Sequence, residues 1–116
     1  MTNIPKSLTV HDLNNWLTSQ SEKPTIVDVR EGLEIDIASL SFVDIYIPIS
    51  KVSVEYVSSK ISKYLDKKFV ILCHRGIRSY HFAQWLLENE LVKEVWNLEE
   101  GIDGWSIYID TSIPRY

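Results

Sequence analysis

Val70-Ile71-Leu72-Cys73-His74-Arg75-Gly76-Ile77-Arg78-Ser79 is the stretch on which the reading of this chain turns. The apolar run Phe69 to Leu72 has the length and composition of a buried strand. Beyond Arg78 the pattern changes, and Ser79, Phe82, Ala83, Leu86 and Leu87 fall on one helical stripe. Cys73, the only cysteine, therefore stands where a strand ends and a helix begins, with Cys73 through Arg78 filling the turn. Successive backbone N–H groups in such a turn point inward and favour an anion, and the helix N-terminus adds about half a positive charge. That setting suits a nucleophilic thiolate.

A lone cysteine closing an apolar run is ordinarily a small core hydrophobe. Here the neighbours weigh against that reading. Arg75 and Arg78 sit at a helix entry, the end that cations disfavour, so something negative is expected to offset them. A structural cysteine has no use for adjacent guanidiniums.

The bulk numbers set outer bounds. A chain of 116 residues is expected to form one domain, residues 1–116. Folding at that size buries roughly 65% of the unfolded surface, enough for a core without staples. The composition, 45% hydrophobic and 24% charged, is that of a globular protein. A net charge of −4 leaves no basic footprint, so no nucleic-acid partner is expected. One cysteine forms no internal disulfide, which fits a reducing compartment. The start Met1-Thr2-Asn3-Ile4-Pro5-Lys6 lacks a signal-peptide shape, and no run approaches the ~20 apolar residues that span a bilayer. A cytoplasmic chain that does not engage a membrane is expected.

Along the chain, Thr9-Val10-His11-Asp12 reads as a helix start, and Leu13, Trp16 and Leu17 share one helical face. Ile26 to Val29 reads as a strand, and so does Phe42 to Ile47, ended by Pro48. Residues 51–65 carry both periods, and their length favours a helix. Glu94 to Leu98 is a further strand, and Ile102 to Tyr108 a last short helix. Strands alternating with helices argue for an α/β fold, a parallel β-sheet flanked by helices on both faces. Ligands in such sheets bind beyond the carboxyl ends of the strands, which is where Cys73 lies.

Cys73-His74-Arg75-Gly76-Ile77-Arg78-Ser79 resembles the Cys-x-x-Gly-x-Arg-Ser loop of single-domain rhodanese-like sulfurtransferases. Ile26-Val27-Asp28-Val29-Arg30-Glu31 and Val95-Trp96-Asn97-Leu98-Glu99-Glu100-Gly101-Ile102-Asp103-Gly104-Trp105 resemble two further segments of that family, in the same order. The ending Asp110-Thr111-Ser112-Ile113-Pro114-Arg115-Tyr116 is similar to the tail of some stand-alone bacterial members. The resemblance implies a rhodanese-like fold and sulfane-sulfur transfer. Cys73 would attack the outer sulfur of a small anionic donor such as thiosulfate, hold it as a persulfide, and pass it to a thiophilic acceptor, a small thiol or an acceptor protein. No metal or organic cofactor is implied. Cys73, His74 and His81 lack the ligand number and spacing of a zinc site.

Within that frame the loop residues take expected roles. The N–H groups of residues 74 to 78 stabilise the anionic sulfur. Gly76 lets the backbone curl. Arg78 has two equal readings, bonding loop carbonyls or touching substrate. Arg75 faces the entrance, and Ile77 completes the loop between them. His74 sits at the rim, as an exposed residue or a proton carrier. Ser79 caps the helix, with a hydrogen bond to sulfur as its second role. Asp28 and Arg30 read as a structural ion pair supporting the site. His11 and His81 read as surface residues.

The chain also departs from the family. Ile37-Ala38-Ser39-Leu40-Ser41-Phe42-Val43 replaces a segment that commonly carries a histidine and two glycines. Glu100 replaces the first glycine of a Gly-Gly pair, at a cost of about 1 kcal/mol or more if that backbone needs positive φ. Leu91 stands where a glycine often ends the helix, leaving Asn89 to supply the left-handed turn. The rival on the same fold is a phosphatase or arsenate reductase, whose Cys-x5-Arg loop is one residue longer; here four residues separate Cys73 from Arg78. A sulfur-carrier or docking module is the other alternative.

Overall fold

The computed structural model describes residues 4–116. Met1–Asn3, where the N-terminal reading begins, lie outside the described residues. The elements in chain order are β1 (Lys6–Leu8), α1 (Val10–Thr18), β2 (Thr25–Asp28), α2 (Gly32–Ile37), β3 (Ile45–Tyr46), α3 (Val54–Ile61), β4 (Phe69–Leu72), α4 (Ile77–Glu88), β5 (Val95–Leu98) and α5 (Gly101–Tyr108). The strands form one parallel sheet in the order β1-β5-β4-β2-β3.

β4 lies at the centre because all four of its residues are apolar and buried. A strand apolar on both faces is stable only where both are covered. Alternation then divides its side chains. Ile71, with Val27 of β2, faces Val57 and Ile61 of α3 and Phe82, Ala83 and Leu86 of α4. Val70 and Leu72, with Ile26, face Val10 and Leu13 of α1 and Ile102 and Trp105 of α5. The expected parallel α/β sheet, covered on both sides, is what forms.

The differences from the expected elements have local causes. β1 was not foreseen; it is three residues long, and Lys6 and Ser7 are exposed, so no apolar period marks it. It pairs with β5 in register Leu8↔Leu98. The strand expected over Phe42 to Ile47 shrinks to Ile45–Tyr46. Phe42 and Val43 turn to the α1/α5 core, and the Asp44 carboxylate takes a ladder position, accepting the Ile26 N–H at 2.8 Å. α2 was not foreseen either; it buries no residue, and its helical turn rests on the Glu34 carboxylate accepting the Glu31 N–H at 3.0 Å. Residues 54–61 are helical, with Ser53 capping the Tyr56 N–H.

The left-handed position weighed for Glu100 and the one expected at Asn89 each fall one residue later. Glu100 has φ −92°, and Gly101 takes the left-handed turn at φ 62°. Glu100 is thus unstrained, and its Oε1 accepts the Val10 N–H at 2.9 Å, joining the start of α5 to the start of α1. After α4, Asn89 has φ −93° and Glu90 carries φ 54°. The Asn89 side chain instead donates to the Trp85 carbonyl at 2.9 Å.

Ile71 is fully buried in the central strand. Ile71→Ala is expected to lower unfolding stability by about 2–5 kcal/mol, a lost transfer term plus a cavity, without changing the fold. Urea denaturation of both proteins, with comparable m-values, is the check.

Candidate functional site

The turn between β4 and α4 encloses a sulfur atom. Cys73 is 1% exposed, and its Sγ receives the N–H of Gly76 at 3.1 Å and the N–H of Ser79 at 3.4 Å. The Ser79 hydroxyl lies 3.3 Å from Sγ and donates to Asn97 Oδ1 at 2.5 Å. Gly76 caps α4 with φ +92°, and a Cβ there would overlap the Glu99 carbonyl. Only glycine combines that dihedral with that approach.

A loop that turns its N–H groups inward turns its carbonyls outward, and these need donors. The first turn of α5 supplies them. Ile102 N–H donates to the Cys73 carbonyl and Asp103 N–H to the His74 carbonyl, both at 3.0 Å. Asn97 Nδ2 donates to the Gly76 carbonyl at 3.0 Å. Gly101 permits this approach, since a Cβ on it would overlap the His74 carbonyl. The cradle and the start of α5 are thus one hydrogen-bonded unit.

A chain of charges flanks the cradle. Asp28 and Arg30 are fully buried and paired at 2.8 Å. Burial alone would weaken the Arg30 charge, but its bonds to Asp28 and Tyr116 outweigh that and hold it above its ordinary pKa. Arg30 Nη1 also donates to the Tyr116 hydroxyl at 3.1 Å, and that hydroxyl donates to Glu34 Oε1 at 3.0 Å. Glu34 in turn holds Arg78 through two bonds of 2.7 Å. This bidentate geometry is the strong form of an Arg–carboxylate pair. It lowers the Glu34 carboxyl to about 2 and raises the Arg78 guanidinium.

The residues singled out in the sequence fall around this arrangement as follows. Gly76 and Ser79 reach the sulfur through their N–H groups. Arg75 and Ile77 are exposed on the outer side of the loop. Four expectations need correction. Of the N–H groups of residues 74 to 78, that of Gly76 alone is hydrogen-bonded to Sγ, and the second donor is Ser79, one position beyond the span. Arg78 does not bond the loop carbonyls, of which those of Cys73, His74 and Gly76 are met by α5 and Asn97; it pairs with Glu34, a negative group that offsets Arg78 but not Arg75. Ser79 does not cap α4, because Gly76 holds that position; the Ser79 side chain turns to Sγ and Asn97 instead. His74 is not free at the rim but half-buried, its ring stacked on Tyr116 at 4.0 Å and 10°. Its Nε2 is buried without a hydrogen-bond partner among the described residues.

Glu34, Asn97 and Tyr116 were missed. Asn97 had a signal, a polar residue inside the apolar strand Val95–Leu98. Glu34 had a weaker one, the Glu31-x-x-Glu34 spacing of a helix start. Nothing local marks Tyr116, which arrives through the tail anchored by Arg115 to Asp103 at 2.8 Å. No group of His, Cys, Asp and Glu among the described residues has the geometry to hold a metal ion. No described helix is long and apolar enough to cross a membrane.

The family model for the rhodanese-like domain matches residues 9–108. The chain belongs to that family. It is 31% identical over 115 residues to a rhodanese-like/PpiC domain-containing protein 12, chloroplastic, of Arabidopsis thaliana, covering 96% of this chain and 37% of the relative. It is 27% identical to an adenylyltransferase and sulfurtransferase UBA4 of Debaryomyces hansenii, covering 94% of this chain and 25% of the relative. The chain therefore spans well under half of these relatives. A crystal structure of a rhodanese-like domain protein from Staphylococcus aureus superposes with a TM-score of 0.70 at 24% identity, over 96% of this chain and 98% of that one. Rhodanese-like proteins include sulfurtransferases, the yeast relative's name among them.

The Glu34–Arg78 pair has a consequence for acid stability. The Glu34 pKa is depressed from 4.5 in the unfolded chain to about 2, so its stabilisation is present above about pH 4.5 and is lost as the pH falls toward about 2. The partial exposure of Arg78 limits the effect to about 1–2 kcal/mol. Glu34→Gln should be less stable than the parent at neutral pH, and the gap should narrow across that acid window in paired denaturant titrations.

Proposed function

We propose that the chain is a sulfurtransferase in which Cys73 carries a sulfane sulfur between a small anionic donor and a thiophilic acceptor. The observation that carries this reading is the convergence of the Gly76 and Ser79 N–H groups on a buried sulfur at 3.1 and 3.4 Å. Those donors stabilise negative charge on sulfur before and after loading. The Cys73 thiolate attacks the outer sulfur of thiosulfate; the S–S bond breaks, and sulfite leaves with the electron pair. Cys73 then bears one extra sulfur. A thiol or other sulfur nucleophile later attacks that outer atom and releases the Cys73 thiolate.

The loop length supports sulfur over phosphate chemistry. Four residues between Cys73 and Arg78 make a smaller cradle than the five of a phosphatase, and Arg78 is engaged by Glu34 at 2.7 Å on both nitrogens. Thiosulfate is the donor proposed because Arg75 offers an exposed cation at the loop; the alternative is a sulfur-carrier module in which Cys73 accepts sulfur from a partner protein and passes it on. The chemistry needs a reduced Cys73, which makes a reducing compartment such as the cytoplasm part of the proposal.

Incubation with thiosulfate should add the mass of one sulfur to the intact chain, and cyanide or a small thiol should remove it. Cys73→Ser should remain folded and gain nothing. Loading of that variant, or a Cys73-dependent aryl-phosphatase activity, would overturn the assignment.

Arg75 should act through charge alone. Arg75→Ala is expected to raise KM for thiosulfate with little change in kcat, the pattern of lost ground-state binding. Steady-state kinetics at rising salt should show the difference shrinking, since exposed charges are screened over about 10 Å at 0.1 M.

A further inference from the structure

Asn97 stands behind the cradle and is not part of the loop. It lies on β5, opposite Ile71 of β4, and is 6% exposed. Its amide makes two bonds, Nδ2 to the Gly76 carbonyl at 3.0 Å and Oδ1 to the Ser79 hydroxyl at 2.5 Å. The first bond fixes the orientation of the second, since a flipped amide would set its oxygen against the Gly76 carbonyl, acceptor against acceptor. Ser79 has one hydroxyl proton, and Asn97 takes it. The same hydroxyl is 3.3 Å from Cys73 Sγ. Toward a protonated sulfur, Ser79 is therefore an acceptor of the S–H. Once the thiol proton has passed to a base in solution, the sulfur needs a donor, and the Ser79 proton can turn to it only by leaving Asn97.

We propose that Asn97 is a positioning residue for the sulfur: it holds the Gly76 carbonyl, and through Ser79 it controls whether Sγ receives two hydrogen bonds or three. The inference rests on the sulfur-transfer reading, and it identifies a competition for one proton between an amide oxygen and the anionic sulfur. Ionisable groups on the elements around Cys73 include His74 and Arg75 in the loop, Arg78, Tyr80 and His81 on α4, Asp28, Arg30 and Glu31 at and after the end of β2, Glu34 on α2, Glu99 and Glu100 after β5, Asp103 on α5, and Tyr116 in the tail. All are unchanged in the variants below.

A double-mutant cycle tests the competition. Thiolate absorbance in the ultraviolet, referenced to Cys73→Ser, and the rate of Cys73 alkylation by iodoacetamide are measured at neutral pH. The proteins are the parent, Asn97→Leu, Ser79→Ala and the double variant. With Ser79 present, Asn97→Leu frees the hydroxyl proton for Sγ; with Ser79→Ala it acts only through Gly76. The thiolate-to-thiol ratio is expected to rise about fivefold more in the first background than in the second. Asn97→Asp should move it the other way, because a carboxylate keeps the proton and adds negative charge. If Asn97→Leu does not fold, Asn97→Asp with and without Ser79→Ala forms the cycle. Equal effects in both backgrounds would overturn the proposal and leave Asn97 a tether for Gly76. Sulfur loading of the parent from thiosulfate is scored separately. Coupling without loading refutes sulfur transfer and keeps the proton competition, whereas loading without coupling refutes only the competition.

Discussion

The structure around Cys73 depends on one constraint: a backbone that points its N–H groups at an anion must point its carbonyls away from it. Left without donors, those carbonyls would cost about 1–3 kcal/mol each, and the turn would not hold. Three donors from outside the loop meet them, two from the first turn of α5 and one from Asn97. Both glycines with left-handed φ sit at this contact, Gly76 on one side and Gly101 on the other. Residues of β5 and α5 are thereby committed to holding a turn some twenty to thirty positions before them.

The charged groups follow from the same requirement. Guanidiniums close to a thiolate are useful, but at a buried helix entry they need partners. Arg78 and Arg30 each have a carboxylate, and the Tyr116 hydroxyl bridges the two pairs by accepting from Arg30 and donating to Glu34. The positive field near the sulfur is thus held in fixed geometry. Arg75, exposed and outside this chain of bonds, is the cation on the loop open to an incoming anion.

Much of this was legible in the sequence where the signal is local. The run Phe69 to Leu72, the cysteine after it and the helical stripe after that fix strand, turn and helix from neighbouring residues alone. The ion pair Asp28–Arg30 was readable because its members are two residues apart. What escaped was set by distant partners. Arg78 and Ser79 were given roles within their own turn, yet each is claimed by a residue elsewhere, Glu34 on α2 and Asn97 on β5. β1 escaped because it is too short to show an apolar period, and α2 because Leu33, Ile35 and Ile37 alternate at a strand's spacing rather than a helix's; one is fixed by pairing with β5 and the other by its carboxylates. The left-handed turn expected at Asn89, and the one weighed for Glu100, each fall on the next residue, and only at Gly101 does that residue lack a Cβ.

The sheet order carries a consequence for how the chain is made. β1 is the first of the described strands in sequence, yet the described strand it pairs with is β5, about ninety residues later in the register Leu8↔Leu98. The start of α1 is completed from the same region, since its Val10 N–H is met by Glu100. The central strands β2 and β4 can pair beforehand, but β1 has no described strand to pair with until β5 has been made. Closing that span is a late, non-local step and slows folding. The cradle shares this timing: three of its carbonyls are met from β5 and α5, so the newly made thiol stays without its finished pocket until those elements have been made.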